Sequence, residues 1–265
     1  MTSKEQGELR LLMTMLERAR SWERMTGSTP EASRVAEGSA LAGDDRKSDP
    51  YQVSHAAWHA LTVAVDNLHC LYLVTKGYQK DEKSIQLVMH VYSPYTLLRA
   101  SLENAARAVW MLSPNDRKER IARRLQIEAG NAKASDLAHH RMGAQPTRTL
   151  EQRMNQLRSI ARDAGIIESR IKRVTYQEIV EAAGEETVGN ELMLILWQCA
   201  SAMAHGDAWA MISLSDREVL GEATSRILNL RVTASTSMLV TSVQASVIMI
   251  DRGFKLFDMR RVKHY

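Results

Sequence analysis

A chain of 265 residues, 45% apolar and 25% charged, has the composition of a globular protein and is long enough to bury a substantial core. The net charge of +4 is unevenly spread, because residues 115–173 hold 14 Lys or Arg against 7 Asp or Glu, which gives +7 for this region. The region is either a solvated pair of Arg-rich helices or a surface for nucleic acid or an acidic partner. It has no aromatic side chain to stack on bases, which argues against single-strand binding.

Several common classes of protein are excluded by missing motifs. The chain has no phosphate-binding glycine loop, dinucleotide fingerprint, His-Glu-x-x-His or Cys-x-x-Cys, so we expect no cofactor. The first residues lack the apolar core of a signal peptide, which predicts a cytoplasmic location. Residues 232–250 carry no formal charge but are interrupted by Ser, Thr and Gln, so we predict a buried helix and no membrane contact.

Apolar spacing and capping residues predict helices along most of the chain. Pro94 suits the first turn of a helix, either Thr147 or Thr149 suits a cap, and the spacing of Thr175 and Glu178 predicts a capping box. The run of apolar residues at 190–204 indicates a central helix that is buried on most sides. The predicted helices are 5–25, 53–76, 81–90, 94–112, 117–140, 149–164, 175–184, 190–204 and 218–252.

The fold class that follows is all-α, a multi-helix bundle with long central and C-terminal helices. Residues 1–50 are predicted to form an N-terminal helix and a flexible linker, because 26–50 is rich in Gly, Ser and Asp. Residues 51–252 are the helical bundle domain, and 253–265 are a basic, aromatic tail. Residues 207–214 are predicted to be irregular. The two cysteines, Cys70 and Cys199, are predicted to be buried reduced thiols rather than a disulfide.

The best candidate site combines two distant segments. Arg99 and Glu103 lie one helical turn apart beside Leu and Trp, and His205 ends the later helix just before Gly206. Charged groups in such apolar surroundings are costly to bury unless they are paired, so we expect the three side chains to meet. The helix dipole at the C-terminus favours the imidazolium form of His205.

Four further side chains could extend this site toward a ligand. Asn104 and Arg107 lie on a neighbouring stripe of the earlier helix, and Trp197 and Ser201 share a face with His205. The structural alternative is an internal Arg–Glu pair that fixes helix register, with His205 acting only as a capping residue.

A second polar stripe runs along the predicted helix 53–76. His55 and His59, at i,i+4, could converge on one transition metal, but another helix would have to provide a third ligand. A solvated polar stripe explains the same pattern.

The Arg99–Glu103 segment, together with the Ser201–Gly206 helix end, resembles a family of uncharacterised bacterial helical proteins with Arg-x-x-x-Glu and Ser-x-x-x-His-Gly helices. That family is distantly similar to the HEPN superfamily of nucleotide-binding and RNA-cleaving helical domains. The resemblance covers about residues 51–252 and implies a HEPN-like bundle. HEPN ribonucleases resemble one another through an Arg, four to six variable residues and then a His, at a dimer interface. This chain has no Arg between Leu192 and His205, so the resemblance does not predict ribonuclease activity by itself.

Three hypotheses for function follow. The first is a HEPN-like protein in which Arg99, Glu103 and His205 bind an anionic ligand such as an RNA phosphate. In an RNA-cleaving version, His205 would be the acid or base, Arg99 the phosphate stabiliser and Glu103 the orienting group. The second is a non-enzymatic, homodimeric interaction protein. The third is a metal-dependent helical-bundle enzyme that uses His55 and His59.

Overall fold

The computed structural model describes residues 3–28, 30–77, 79–81, 84–85, 87–221 and 229–263. For 79–81 and 84–85 it describes the backbone only. Within these ranges the chain is a bundle of α-helices, as the sequence predicts. The helices are α1 Ser3–Ser28, α2 Pro30–Ser33, α3 Ala40–Ser48, α4 Val53–Lys76, α5 Ser93–Leu112, α6 Arg117–Arg141, α7 Leu150–Asp163, α8 Tyr176–Gly184, α9 Asn190–His205, α10 Ala208–Leu214 and α11 Thr236–Arg261. A short 3-10 helix covers Glu168–Arg170.

The centre of the bundle is α5, which packs against α4, α8, α9 and α11. On the α4 side, the buried hydroxyl of Ser101 donates to the carbonyl of Ala64 at 2.8 Å. α11 also packs closely against α4. A Cβ added to Gly253 of α11 would lie only 2.6 Å from Leu61 Cδ2 of α4, so no side chain fits at this position unless Leu61 moves. With several faces of α5 occupied by neighbouring helices, its polar stripe is held at a defined position near α8 and α9.

The local signals for helix ends are confirmed. Thr149 and Thr175 cap α7 and α8, each in a reciprocal capping box with Gln152 and Glu178. Gly77 follows the last residue of α4, and Pro94 lies in the first turn of α5.

Two predicted helical stretches contain strands instead. Gln79–Asp81 (β1) pairs with Ser84–Ile85 (β2), and Asp216–Val219 (β3) pairs antiparallel with Leu230–Thr233 (β4), where Arg217 faces Val232. Residues 82, 83, 86 and 222–228 of those predicted helices lie outside the described residues. The prediction of a helix from 218 is wrong for β3 and β4, because cross-strand pairing of two separate segments overrides the local helical spacing.

The predicted linker contains a helix with a buried charge. Ser39 caps α3 by accepting from the Ala42 amide at 3.2 Å, and Asp44 on α3 is fully buried. Asp44 accepts hydrogen bonds from Arg120 at 2.6 and 2.9 Å, and Arg120 is itself buried. Residues 40–48 are therefore part of the packed structure, and the prediction of an irregular linker is wrong there. Asp207 likewise precedes a helix, α10, in a stretch predicted to be irregular.

Two further predictions differ from the structure: the burial of α9 on most sides, and a separate tail at residues 253–265. In α9, Leu192 and Ile195 are 48% and 54% exposed, so this helix buries only one side. α11 continues through the predicted tail to Arg261, and Phe254 and Phe257 are buried in the core. Residues 264–265 of the predicted tail lie outside the described residues.

The cysteines and the uncharged segment at 232–250 agree with prediction in part. Both cysteines are free thiols, but Cys70 is exposed and only Cys199 is buried, so the prediction of burial is wrong for Cys70. Most of the uncharged segment lies in α11, and none of the helices in the described ranges has the length and apolarity needed to span a bilayer.

Candidate functional site

Arg99 and Glu103 lie on the stripe of α5 that faces α9. Their i,i+4 spacing brings Arg99 Nε to 2.9 Å from Glu103 Oε1, which is a direct ion pair. The Arg99 side chain is 28% exposed and that of Glu103 only 13%. The pair is therefore sheltered, as the apolar neighbours in the sequence predicted.

Two side chains of α9 complete the cluster. Trp197 donates its indole N–H to Glu103 Oε1 at 2.9 Å, and His205 Nε2 lies 2.7 Å from Arg99 Nη1. The predicted meeting of arginine, carboxylate and imidazole is therefore present in the structure. We call these four residues, Arg99, Glu103, Trp197 and His205, the Arg99 niche.

Gly206 positions His205 at the end of α9. It adopts the left-handed conformation (φ 73°), and its amide donates to the carbonyls of Ala202 and Met203. The Asp207 amide also donates to Ala202 at 3.0 Å. These bonds terminate the helix sharply, so the imidazole extends from the last helical residue toward α5.

The contact between Arg99 and His205 assigns an accepting role to the imidazole. A guanidinium only donates hydrogen bonds, so His205 Nε2 is the acceptor in this contact. An imidazolium, which the helix dipole would favour, has no acceptor at Nε2 and could not make the same hydrogen bond.

The chemistry available to the niche follows from its unused donors. A guanidinium has more N–H groups than the two that bond Glu103 and His205. His205 is exposed, so the niche opens to solvent on that side. An incoming oxyanion can bind the remaining guanidinium donors there, and the neutral imidazole can take a proton from a bound hydroxyl.

The other predicted ligand-binding residues, Ser201, Asn104 and Arg107, form no side-chain hydrogen bond with the Arg99 niche in the part of the chain that the structure describes. Ser201 is half-buried on α9, one turn before His205. Asn104 donates to the Ala100 carbonyl of its own helix at 2.8 Å, so this contact is used within α5. Arg107 hydrogen-bonds the hydroxyl of Tyr176 on α8, with its guanidinium carbon 5.2 Å from the Tyr176 ring centre. Arg107 therefore belongs to a second polar contact, one helical turn beyond the niche.

Much of the positive charge in the basic region is neutralised by carboxylates. For example, Arg124 and Arg153 both lie within 4 Å of Glu128, and Arg120 is buried against Asp44. These internal pairs favour the structural interpretation of the basic region over a continuous surface for nucleic acid. Half of the region's 14 cationic residues take part in such pairs, namely Arg117, Arg120, Arg123, Arg124, Arg153, Arg162 and Arg170.

The polar stripe of α4 does not gather a set of metal ligands. His55 and His59 are exposed and line one shallow groove with Thr26 and Trp58. Across the described ranges, no three His, Cys, Asp or Glu side chains are grouped so as to hold a metal ion. The third ligand that the metal hypothesis requires is therefore not found among the described residues.

Comparison with protein-family models, curated proteins and solved structures gave no match to this chain. The HEPN-like resemblance therefore depends on the short motifs in α5 and α9 alone.

Proposed function

We propose that this chain is a HEPN-like helical protein whose Arg99 niche binds an anionic ligand, specifically a phosphate of RNA. The observation that supports this most directly is the 2.7 Å contact between Arg99 Nη1 and His205 Nε2 at an exposed helix end. It combines a fixed cation with a proton acceptor where solvent can enter.

Glu103 supports the proposal by holding the guanidinium in place. Its Oε1 accepts from both Arg99 and Trp197, so the arginine is oriented before a ligand arrives. Orientation before binding lowers the entropy cost of association. The same ion pair compensates part of the positive charge, so we expect moderate affinity that decreases as salt rises.

The roles in an RNA-cleaving version follow from the same atoms. Arg99 Nη1 would shift its hydrogen bond from His205 to the phosphate while Nε stays on Glu103. His205 Nε2 would then take the proton of the 2′-hydroxyl as that oxygen bonds to the adjacent phosphorus. The P–O5′ bond breaks to leave a 2′,3′-cyclic phosphate, and the departing 5′-oxygen takes a proton from water. Arg99 would stabilise the negative charge that develops on the phosphate oxygens. Glu103 would act as the positioning residue for Arg99.

The experiment is fluorescence anisotropy with labelled single-stranded RNA of mixed sequence at low salt, followed by gel analysis of the same RNA. We expect Arg99→Ala to weaken binding by about tenfold, since a charge-assisted hydrogen bond contributes roughly 1.5–3 kcal/mol. Arg148→Ala is the matched control, because Arg148 is an exposed cation on the loop before α7 and bonds Gln156. RNA binding that is equal in the wild type and Arg99→Ala would refute the proposal.

A second function, self-association without catalysis, is favoured by one independent observation. Leu192 and Ile195 on α9, and Trp209 and Ile212 on α10, are between 42% and 54% exposed. Large apolar side chains concentrated on two consecutive helices are typical of interaction surfaces. We call these four residues the α9–α10 apolar surface and propose a second copy of this chain as its occupant.

Analytical ultracentrifugation tests this second function. Ile195→Lys is expected to shift the protein from dimer toward monomer, because a charge would be buried in the interface. Ile167→Lys is the control, since Ile167 is 72% exposed and lies outside this surface. A wild-type protein that is monomeric at high concentration would contradict the homodimer.

A further inference from the structure

A groove beside α5 collects cationic side chains away from the Arg99 niche. It has a volume of about 350 Å³ and lies where α5, α6 and α8 meet. Arg107 of α5, Lys133 of α6 and Arg173, just before α8, all line it, and its lining contains no Asp or Glu. We call this the Arg173 groove.

The charges in the Arg173 groove have no acidic partner among the residues that the structure describes. The ion pairs found within the described ranges involve none of Arg107, Lys133 and Arg173. This differs from Arg120, Arg123 and Arg124 of α6, which all form ion pairs. Three unpaired cations around one concavity produce a positive potential that favours an anion.

The other lining residues are largely apolar. Ile127, Leu137 and Val174 line the groove, and Leu137 is 48% exposed. A pocket in which apolar side chains surround a few convergent polar groups is the usual environment for a small organic ligand. A volume of about 350 Å³ is at the small end of such pockets, which run from roughly 300 to 1,000 Å³.

Glycine and tyrosine shape the groove. The side chain of Arg173 packs over Gly130 of α6, where an added Cβ would lie 3.7 Å from Arg173 Cγ. Arg107 is held over the ring of Tyr176 and bonds its hydroxyl. The guanidinium of Arg107 and the aliphatic stem of Arg173 are therefore supported by packing before any ligand binds.

We propose that the Arg173 groove binds a small organic phosphate monoester, with the phosphate among Arg107, Lys133 and Arg173 and its apolar body on Ile127, Leu137 and Val174. A dianionic phosphate matches three cations better than a single carboxylate does, and arginine is well suited to phosphate. The proposal is independent of the function assigned to the Arg99 niche, because none of these contacts involves His205 or Glu103.

The test is isothermal titration calorimetry with 1-naphthyl phosphate, 1-naphthol and inorganic phosphate as separate probes. We expect 1-naphthyl phosphate to bind more tightly than either other probe, since only it has both an anionic and an apolar part. Arg173→Glu and Lys133→Glu should each weaken that binding by about tenfold or more. Both positions are exposed, so these variants should fold, and circular dichroism checks this.

Lys172→Glu is the matched control, because Lys172 is exposed and adjacent to Arg173 but does not line the groove. It should bind as the wild type does. Arg148→Ala should also bind normally, because Arg148 is an exposed cation that lines neither the Arg173 groove nor the Arg99 niche. The proposal is overturned if inorganic phosphate or 1-naphthol binds as tightly as the ester. It is also overturned if Arg173→Glu binds as the control does.

Discussion

Trp197 of α9 donates its indole hydrogen to Glu103 of α5 across 2.9 Å, and this bond joins the two helices that form the candidate site. The same carboxylate oxygen accepts from Arg99. Glu103 therefore connects the position of α9 to the orientation of the guanidinium. Loss of the Trp197 donor should affect both stability and ligand binding.

Trp197→Phe tests this connection, because it removes the donor and keeps an aromatic ring. We expect the free energy of unfolding to fall by about 1.5–3 kcal/mol, the usual contribution of a hydrogen bond to a charged acceptor. Urea denaturation followed by circular dichroism measures it. Trp209→Phe is the control, because Trp209 is 53% exposed on α10. Equal stability losses in the two variants would argue against a structural role for the bond.

The sequence was enough to predict the residues of this cluster but not its bonds. An Arg and a Glu one turn apart beside apolar residues already indicate a sheltered pair, because burial of either charge alone is costly. The partner role of Trp197 and the acceptor role of His205 depend on how α9 is placed against α5. No local pattern contains that information.

The errors in the fold prediction have the same origin. The Gly-, Ser- and Asp-rich composition of 26–50 suggested a linker, but Asp44 is paired with Arg120, 76 residues further along the chain. The segment at 218 has helical spacing, yet Val219 lies opposite Leu230 in a hairpin. In both cases a contact between distant segments outweighs the local preference.

Asp44→Ala should be among the most destabilising substitutions in the chain. It would leave the buried Arg120 guanidinium without its carboxylate, and loss of one partner of a buried pair costs about 3–5 kcal/mol. Chemical denaturation measures the loss. Glu37→Ala, an exposed position in the same segment, should change stability by less than about 0.5 kcal/mol. A small effect of Asp44→Ala would mean that residues 40–48 are not part of the cooperative fold.

His205→Gln separates hydrogen bonding from proton transfer at the Arg99 niche. The glutamine carbonyl can accept from Arg99, as the neutral imidazole does, but it cannot act as an acid or base near neutral pH. We therefore expect RNA affinity within about twofold of the wild type, and a larger loss in His205→Ala, which removes the acceptor. Anisotropy measures binding, and gels measure cleavage. Any cleavage that survives in His205→Gln would exclude His205 as the acid or base.

Glu119 predicts how stability depends on acid pH. Burial alone would raise the pKa of Glu119, but hydrogen bonds and positive charge from Arg170 and Arg123 outweigh this, so its pKa is lowered. A lowered pKa in the folded state means that the stabilisation is present above the ordinary carboxyl pKa and is lost as pH falls through the lowered value.

Glu119→Gln should therefore reduce the free energy of unfolding at neutral pH by about 1 kcal/mol and have no effect in strong acid, where the wild-type carboxyl is protonated. Urea titrations across the acid range measure the difference between the two proteins. Glu151→Gln is the control, since Glu151 is an exposed carboxylate on α7. A difference that stays constant with pH would show that the Arg170 and Arg123 contacts do not act through charge.

Gly206→Ala tests whether the sharp end of α9 positions His205. Gly206 has φ 73°, a conformation that costs an alanine roughly 1–2 kcal/mol, although a Cβ there would meet no atom within 4 Å. The strain would be relieved by unwinding the last turn of α9, which carries His205 away from Arg99. We expect a loss of stability of about 1 kcal/mol together with weaker RNA binding. Gly7→Ala is the control: Gly7 lies within α1 with open space around it, and alanine there should be neutral or slightly stabilising. Unchanged RNA affinity in a Gly206→Ala protein that is destabilised as expected would show that ligand binding does not depend on the position of His205.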